Sequence, residues 1–393
     1  MYTNVHHFSL FVNLFLNIFP ESISRQPLLI YITQQDDSNR VREHQQAIPS
    51  SPMPPSTTTS YTPQDEKRDE TFDVLKGIAI ILMIIGHCDF SPFRTFIYSF
   101  HMPLFFFVAG YFLKERPLRK ELFLSTKRLL VPYIFTAFWL CVATTCIDPT
   151  RLKSIAVASL LGFRAQYIPN WIDAHVGLLW FILAMFWARI ITSVLVKSVK
   201  SDYILSIIFF LLALIGIFLN KKVFVPFCIP QGMCAAGFLF VGYLIKKYKF
   251  LESCYLIQTF PFLLIIWAYN WSAGGVDMYC CLFSSGYIFD LIGALGAFVT
   301  LYILVKQCYN RNSFLWRSIH FWGRYSLIIY CVHSVEHSAA LWKTIVPHLN
   351  IPLDNLTLLS IFARMSFVFL LTLLLLKIRP VREYVFQIKK CRN

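Results

Sequence analysis

Charged residues are scarce in this chain. Asp, Glu, Lys and Arg make up only 15% of its 393 residues, whereas 56% are hydrophobic, and the mean hydropathy is +0.57. A soluble protein has about 25% charged residues, because its surface must be hydrated. The apolar residues also form long blocks separated by short basic segments, as expected of helices of about 20 residues that cross a bilayer. The composition excludes an ordinary soluble protein and predicts an all-α integral membrane protein.

Patterns typical of metal sites and disulfide frameworks are also missing. The 11 cysteines include no CxxC pair, and most lie inside apolar blocks, where cysteine acts as a small hydrophobic residue. The net charge is +15, but the basic residues lie between the apolar blocks and are not interleaved with aromatic residues. We therefore expect no metal and no nucleic-acid partner, and we interpret the basic residues as topology signals that also contact membrane lipids.

The first 70 residues differ in composition from the rest. The apolar stretch from Phe8 to Phe19 is too short for a span and is interrupted by asparagine, and Ser50 to Pro63 is rich in Ser, Thr and Pro. We expect residues 1–70 to be a disordered leader or a mis-assigned start, with Met53 as an alternative initiator. A signal peptide is less favoured, because no cationic segment precedes Phe8 and no small-residue cleavage site follows it.

Ten candidate spans fill the membrane domain, predicted at residues 71–380, and a basic cytoplasmic tail is predicted at 381–393. The spans are 72–88, 96–113, 129–147, 176–196, 203–219, 231–246, 254–270, 286–305, 325–341 and 357–377. With the amino terminus in the cytoplasm, 24 basic residues lie on the cytoplasmic side and 7 on the other. Both termini are therefore predicted to be cytoplasmic. The apolar stretch from Ile155 to Phe163, in the longest outer loop, is predicted to be re-entrant or interfacial.

Lys76 and His87 are the most informative polar residues of the first span. Eleven positions correspond to about 16 Å of helix and about three full turns, so both side chains lie on one helix face. That face carries a cation near the cytoplasmic end and an imidazole near the outer end. The alternative is that Lys76 extends to the lipid headgroups and that His87 caps the helix at the interface.

Several other ionisable groups are predicted near the outer ends of their spans. Each alone is explained as an interfacial residue, but together they predict a hydrated cavity with at least one general base. Besides His87, these groups are His101, Asp290, His333, Glu336, His337 and Arg364. On the cytoplasmic side, the positive-inside rule explains most basic residues. Lys127 and Arg128, beside the apolar run that ends at Pro132, are also candidates to bind phosphates.

The motifs resemble those of membrane acyltransferase family 3. Asp73-x-x-Lys76-Gly-x-Ala followed by Gly86-His87 resembles the family's Arg-x10-His signature, with lysine in place of arginine. The stretch Ser99-Phe-His101-Met-Pro-Leu-Phe-Phe-Phe-Val-Ala-Gly110 resembles a motif of the fucose 4-O-acetylase-like branch. Weaker matches are Arg128-Leu-Leu-Val-Pro132-Tyr, Trp180-Phe-Ile-Leu and Gly323-Arg-Tyr-Ser-Leu-Ile-Ile-Tyr-Cys-Val-His333. The match covers about residues 70–380.

The resemblance implies a multi-pass enzyme of the bacterial inner (plasma) membrane that transfers an acetyl group from acetyl-CoA to a carbohydrate hydroxyl. Envelope polysaccharides and lipid-linked glycans are the expected acceptors. His87 matches the family's essential histidine and Lys76 its basic partner, while His101 and His333 match histidines whose roles are less defined. Lysine is a departure from the family, because it offers a point charge where arginine offers a bidentate fork.

These observations combine into one hypothesis. Cytoplasmic acetyl-CoA binds through Lys127, Arg128 and Arg324, and its pantetheine arm passes Lys76, which Asp73 neutralises when no ligand is bound. His87 then removes the proton of the acceptor hydroxyl or is itself acylated first. The alternative function is a glycan or small-solute transporter or flippase, for which the glycine-rich sixth span is the candidate broken helix.

Overall fold

The computed structural model describes residues 69–88, 91–163, 174–339 and 353–388. The predicted leader lies outside the described residues except for 69 and 70, and so do residues 389–393 of the predicted tail. In the described ranges the fold is α-helical, with fourteen α-helices. In chain order, α1 to α14 are Glu70–Gly86, Ser91–Tyr98, His101–Tyr111, Leu118–Ser125, Val131–Ile147, Leu152–Leu161, Trp180–Ser198, Asp202–Lys222, Ile229–Lys247, Tyr255–Ala273, Tyr287–Cys308, Phe314–Arg324, Ser326–Ser338 and Leu353–Lys377.

Short elements connect these helices. A π-helical turn at Thr126–Leu130 joins α4 and α5 into one helix of 30 residues. A second π-helical turn, Val381–Val385, follows α14. The strand elements of the described residues are β1 (Val276–Asp277) and β2 (Leu282–Phe283), which pair antiparallel in a small hairpin between α10 and α11.

The prediction of an all-α membrane protein is confirmed. Among the described residues, six helices are long and apolar enough to cross a membrane. They begin at Leu118, Gly177, Asp202, Pro226, Tyr287 and Leu359. The other predicted spans are also helical, but they are shorter or broken, so the number of about ten crossings and the cytoplasmic termini stay predictions.

The predicted span at 96–113 is broken into α2 and α3. Pro103 is the third residue of α3, in the first turn, where the missing N–H leaves no helical hydrogen bond unmade. In a continuous helix its ring would collide with the carbonyl of Ser99. The Ser99 hydroxyl instead donates to the carbonyl of Phe96 and accepts a hydrogen bond of 2.9 Å from the indole of Trp267. The break places His101 at the start of a new helix.

Two helix pairs cross with their backbones in contact. A Cβ atom at Gly77 of α1 would lie 2.0 Å from the carbonyl oxygen of Ile319 in α12, and one at Gly323 would lie 1.5 Å from that of Asp73. Gly110 of α3 and Gly242 of α9 make the equivalent contact between α3 and α9. Cβ atoms at these positions would lie 1.8 and 2.1 Å from the carbonyl oxygens of Leu239 and Phe107. Small residues at these crossings let the helices approach closely. As a result, α1 and α3 are fixed against neighbouring helices.

The apolar stretch predicted to be re-entrant forms helix α6. It packs on α5, where the hydroxyl of Tyr133 donates to the carbonyl of Ser159 over 2.5 Å. The helix ends at Gly162, whose φ of +71° is in the left-handed region that favours glycine. A 3₁₀ turn, Pro149–Arg151, directly precedes it. Arg151 is therefore held at the start of a packed helix.

Candidate active site

A cavity of about 520 Å³ surrounds the end of α1 that carries His87. It is called the histidine cavity below. Its walls come from α1 to α3, α13 and α14, and from the segments around Arg151, Gly177 and the β-hairpin. The ionisable residues that line it are His87, Arg94, His101, Arg151, His175, Asp277, Glu336, His337 and Arg364. The predicted polar cavity is thus formed by residues far apart in the sequence.

His87 is held as a base with one nitrogen available. Its Nδ1 lies 2.7 Å from the carbonyl oxygen of Met83, one turn earlier in α1. A carbonyl can only accept, so Nδ1 carries the proton and Nε2 of the neutral ring keeps its lone pair. The ring is partly exposed and lies 5.5 Å from the ring of His333 and 4.9 Å from that of His337, centre to centre. His87 can therefore accept a proton from a group in the cavity.

His333 belongs to a buried chain of charged groups. Its Nδ1 lies 2.9 Å from Oε2 of Glu336, one turn later in α13, and neither side chain is more than 1% exposed. The guanidinium of Arg364 in α14 lies 3.4 Å from Oε1 of Glu336 and 3.4 Å from Nδ1 of His337. A carboxylate on Nδ1 fixes the tautomer of a histidine and supports a positive charge on the ring. Nε2 of His333 is buried without a hydrogen-bond partner in the described residues.

Tyr98 links the second and third helices to His87. Its ring lies 6.0 Å from that of His87 and 5.0 Å from that of His101. His101 is buried, and its Nδ1 donates to the carbonyl of Ile97 over 2.8 Å. The guanidinium of Arg94 lies 5.1 Å from the centre of the Tyr98 ring, within cation–π range. The break between α2 and α3 brings all three side chains to the histidine cavity.

A second cavity, of about 220 Å³, adjoins the first and is called the apolar cavity. Tyr330 of α13 lines both cavities, and its hydroxyl donates to the carbonyl of Leu178. Most of the other lining residues are apolar. The polar ones are Ser125, Arg128, Arg189 and Ser326.

Glu121 holds Arg189, an arginine of this cavity for which the sequence predicted no role. The carboxylate is fully buried, and its Oε1 accepts hydrogen bonds of 2.6 and 3.2 Å from Nη2 and Nε of Arg189. Arg116 lies 3.3 Å from Oε2, and the hydroxyl of Ser125 donates to Oε1 over 3.0 Å. Arg189 lies within the apolar run of α7, a position where a charge needs a partner. That signal could have identified it.

The four residues predicted to meet the donor lie in four different places. Lys76 lies on the face of α1 that carries Ile80, Met83 and His87, but it lines neither cavity, and its ammonium is 2.8 Å from Oδ1 of Asp73. Lys127 is exposed, 6.0 Å from the ring of Phe123. Of the predicted set, Arg128 alone lines the apolar cavity.

Arg324 lies in a third cavity, of about 600 Å³, together with Arg311, Arg317 and His320. His320 connects this cavity to α1, because its Nε2 is 3.7 Å from Oδ2 of Asp73. Asp290, the remaining predicted group, is buried away from the histidine cavity and accepts a hydrogen bond of 2.5 Å from Asn270. In the part of the chain that the structure describes, no group of three His, Cys, Asp or Glu residues is placed to hold a metal ion.

One protein family and two known proteins match parts of this chain. The family described as "Acyltransferase domain", acyltransferase family 3, matches residues 69–377. The chain is similar to nodulation protein NolL of Sinorhizobium fredii, with 29% identity over 48% of this chain and 53% of that protein. Nodulation protein NolL of Mesorhizobium japonicum is 33% identical over 36% of this chain and 38% of its own length.

The chain therefore spans about half the length of the first of these relatives, and less of the second. No solved structure matches it significantly. The family match extends from the first described helix to the end of α14, which is more than half of the chain. It confirms the resemblance found in the first two spans: this protein belongs to acyltransferase family 3.

Proposed function

We propose that this protein is a multi-pass O-acyltransferase of the bacterial inner (plasma) membrane. It moves an acetyl or other acyl group from cytoplasmic acyl-CoA to a hydroxyl of an envelope or extracellular carbohydrate. The observation that carries the proposal is that Tyr330 lines both cavities, so that together they follow α1 from Arg128 and Arg189 to His87. Such a path lets a donor on one side of a membrane react with an acceptor on the other.

The donor binds along the apolar cavity. Arg128 and Arg189 bind phosphate oxygens of acyl-CoA, because a guanidinium can donate two parallel hydrogen bonds to a phosphate. The lining residues Phe105, Ala109 and Met185 contact the uncharged pantetheine arm. Lys127 adds a cation in the exposed turn beside Arg128. The donor contacts that the sequence predicts for Lys76 and Arg324 stay predictions, because neither side chain lines these two cavities.

The transfer takes place in the histidine cavity. Nε2 of His87 removes the proton of the acceptor hydroxyl as its oxygen attacks the thioester carbonyl. The tetrahedral intermediate then breaks its C–S bond, and the CoA thiolate leaves with the proton that His87 received. His333 and His101 lie beside this reaction, and the Glu336–His333 pair stabilises positive charge next to His87. In the alternative sequence of steps, Nε2 of His87 attacks the thioester, and the C–S bond breaks as the CoA thiolate leaves. The sugar hydroxyl then attacks the acyl-imidazole, His87 is released, and the hydroxyl proton passes to the thiolate.

The transporter alternative has less support. It required a helix that is broken near the middle of the membrane, and the glycine-rich sixth span was the candidate. This segment forms the continuous helix α9 from Ile229 to Lys247. Its glycines are also closely packed, because a Cβ atom at Gly232 would lie 2.4 Å from Trp187 and one at Gly237 would lie 2.1 Å from the hydroxyl of Tyr287.

Acyl transfer in membrane vesicles tests the enzymatic proposal. Inverted vesicles containing the wild type, His87→Gln or Cys88→Ala would receive acetyl-CoA labelled in the acetyl group. We expect His87→Gln to lower transfer by about 10²- to 10⁴-fold, the usual contribution of a general base. Cys88→Ala, at the next position, controls for disturbance of the helix end. Transfer that survives His87→Gln, together with glycan export that is lost on deletion, would contradict the proposal.

The donor site is tested separately. Arg128→Gln and Arg189→Gln should raise the KM for acetyl-CoA, because both guanidiniums line the apolar cavity. Arg324→Gln, in the third cavity, is the matched comparison. If Arg324→Gln alone raises this KM, the nucleotide binds in the third cavity and the assignment to Arg128 and Arg189 is wrong.

A further inference from the structure

Three arginines line the histidine cavity, and each comes from a different part of the fold. Arg94 lies on α2, Arg151 lies in the turn before α6, and Arg364 lies on α14. Arg94 is exposed, whereas the Arg364 side chain is only 13% exposed. Arg94 and Arg151 have no place in the acyl-transfer chemistry described above, and Arg364 enters it only through its ion pair with Glu336. Their convergence on the cavity that holds His87 therefore requires a cause of its own.

The positive-inside rule makes this convergence unusual. On the predicted outer side only 7 basic residues occur, against 24 on the cytoplasmic side. Two of these seven, Arg94 and Arg151, line the histidine cavity, and the intramembrane Arg364 joins them. Charged groups within membrane segments are costly and mark sites of function. The positive-inside rule favours few basic residues on the outer side, so it does not explain these arginines. A bound ligand does explain them.

The carboxylates of the cavity are already engaged. Glu336 accepts from His333 and pairs with Arg364, and Oδ1 of Asp277 accepts from the backbone N–H of Cys280 in the hairpin turn. Among the described lining residues, three carry a guanidinium and two carry a carboxylate. The positive charge also affects a neighbour outside the spans: partial desolvation and the charge of Arg151 both lower the pKa of His175. The charged side chains among the described lining residues are therefore mostly cationic.

Two of the arginines flank the proposed base. Arg94 contacts the ring of Tyr98, which is next to the ring of His87. On the other side, Arg364 lies 3.4 Å from His337, whose ring is 4.9 Å from that of His87. An anion bound by these arginines would lie close to the hydroxyl that His87 deprotonates.

We propose that the acceptor carries an acidic group, a phosphate or a carboxylate, near the hydroxyl that is acylated, and that Arg94, Arg151 and Arg364 bind this group. The inference rests on the proposed acyltransferase function and defines its substrate class. Arginine suits this task because its planar donors match the oxygens of both groups bidentately. The acidic group would orient the sugar and thereby select which hydroxyl faces Nε2 of His87.

The charge of the labelled product provides the first test. Inverted membrane vesicles from cells that express the full chain receive [14C]acetyl-CoA, and the labelled glycan or glycolipid is extracted and applied to an anion exchanger. We expect the product that depends on His87 to be retained. Mild acid abolishes retention of a product whose acidic group is a glycosyl phosphate. Carbodiimide coupling to an amine abolishes retention of a carboxylate-bearing one.

Variants of the arginines provide the second test. Arg94→Gln and Arg151→Gln should each lower labelling of the anionic product by about tenfold or more, the value of a lost charge-assisted hydrogen bond. Lys153→Gln is the matched control, because Lys153 is exposed on the same predicted side, two residues after Arg151, and does not line the cavity. Binding of acetyl-CoA should be equal in all three variants.

The outcomes separate the inference from the proposed function. A product that depends on His87 but passes the exchanger as a neutral molecule overturns the inference and leaves the acyltransferase proposal intact. The same holds if both arginine variants label like Lys153→Gln, which would assign these arginines to lipid headgroups. Absence of any product that depends on His87 contradicts the proposed function, and the inference falls with it.

Discussion

Replacing Glu121 by glutamine tests the arrangement that holds Arg189 at the apolar cavity. Glutamine keeps the size of the side chain but removes its charge. The carboxylate is 0% exposed and pairs with Arg189 and Arg116, whose side chains are 17% and 21% exposed. Both guanidiniums would keep their charge in a partly buried position after the substitution. The change therefore removes an attraction and leaves two cations close together.

The size of the effect follows from the burial of the three groups. Removing one partner of a buried ion pair costs about 3–5 kcal/mol, whereas hydrogen bonds between membrane helices average only about 0.6 kcal/mol. Because both arginines retain some exposure, we expect a cost near the lower limit, about 3 kcal/mol. The double variant Glu121→Gln/Arg189→Gln should recover part of this loss, since it also removes one of the cations.

The assay is reversible unfolding in detergent, with the KM for acetyl-CoA as a second measurement. Glu121→Gln should lower the free energy of unfolding and raise this KM, because Arg189 loses its orientation. Arg116→Gln removes the other ion pair without touching the cavity lining, so it should affect stability but not the KM. The reasoning is refuted if Glu121→Gln costs less than about 1 kcal/mol, the value of an exposed pair, or leaves the KM unchanged.

Three further predictions concern other parts of the molecule. Glu336→Gln removes the carboxylate on Nδ1 of His333 and should lower kcat for acyl transfer by at least about tenfold while the protein stays folded; an unchanged kcat would assign the pair a structural role only. Gly77→Ala forces a Cβ atom to 2.0 Å from a backbone carbonyl, and such overpacking costs about 1–3 kcal/mol of stability, so the apparent Tm should fall. An unaltered Tm would contradict the contact between α1 and α12. An impermeant maleimide should label the exposed Cys146 in intact cells, but the exposed Cys308 only after permeabilisation, and the reverse result would invert the proposed orientation.

The sequence predicted the helical membrane architecture because apolar blocks of bilayer length are rare outside membrane-spanning helices. The spacing of Lys76 and His87 also placed both residues on one face of α1, since helical periodicity is local. The break before His101 was missed, although Pro103 indicates it, because the apolar run continues through Ser99 without a change in hydropathy. A break of this kind is visible only when backbone geometry is considered together with composition.

The sequence could not predict which basic residues line the same cavity. Arg128 and Arg324 satisfy the same positive-inside pattern, yet they line different cavities. The cavity that Arg324 lines depends on how α12 packs against α1. That packing relies on the close contacts of Gly77 and Gly323, which are far apart in the chain. The sequence predicts no role for Arg189, because its partner Glu121 precedes it by 68 positions.

The glycine crossings have a consequence for the proposed path of the donor. Ile80 on α1 and Ala109 on α3 line the apolar cavity, and both helices are held by backbone contacts that cannot close further. Each of these two walls is therefore fixed against the helix behind it. The facing wall, formed by Phe181 and Met185 of α7, consists of side chains with freedom to change rotamer. In the proposed mechanism, the room for the pantetheine arm would therefore depend on the rotamers of these two residues and not on movement of the helices.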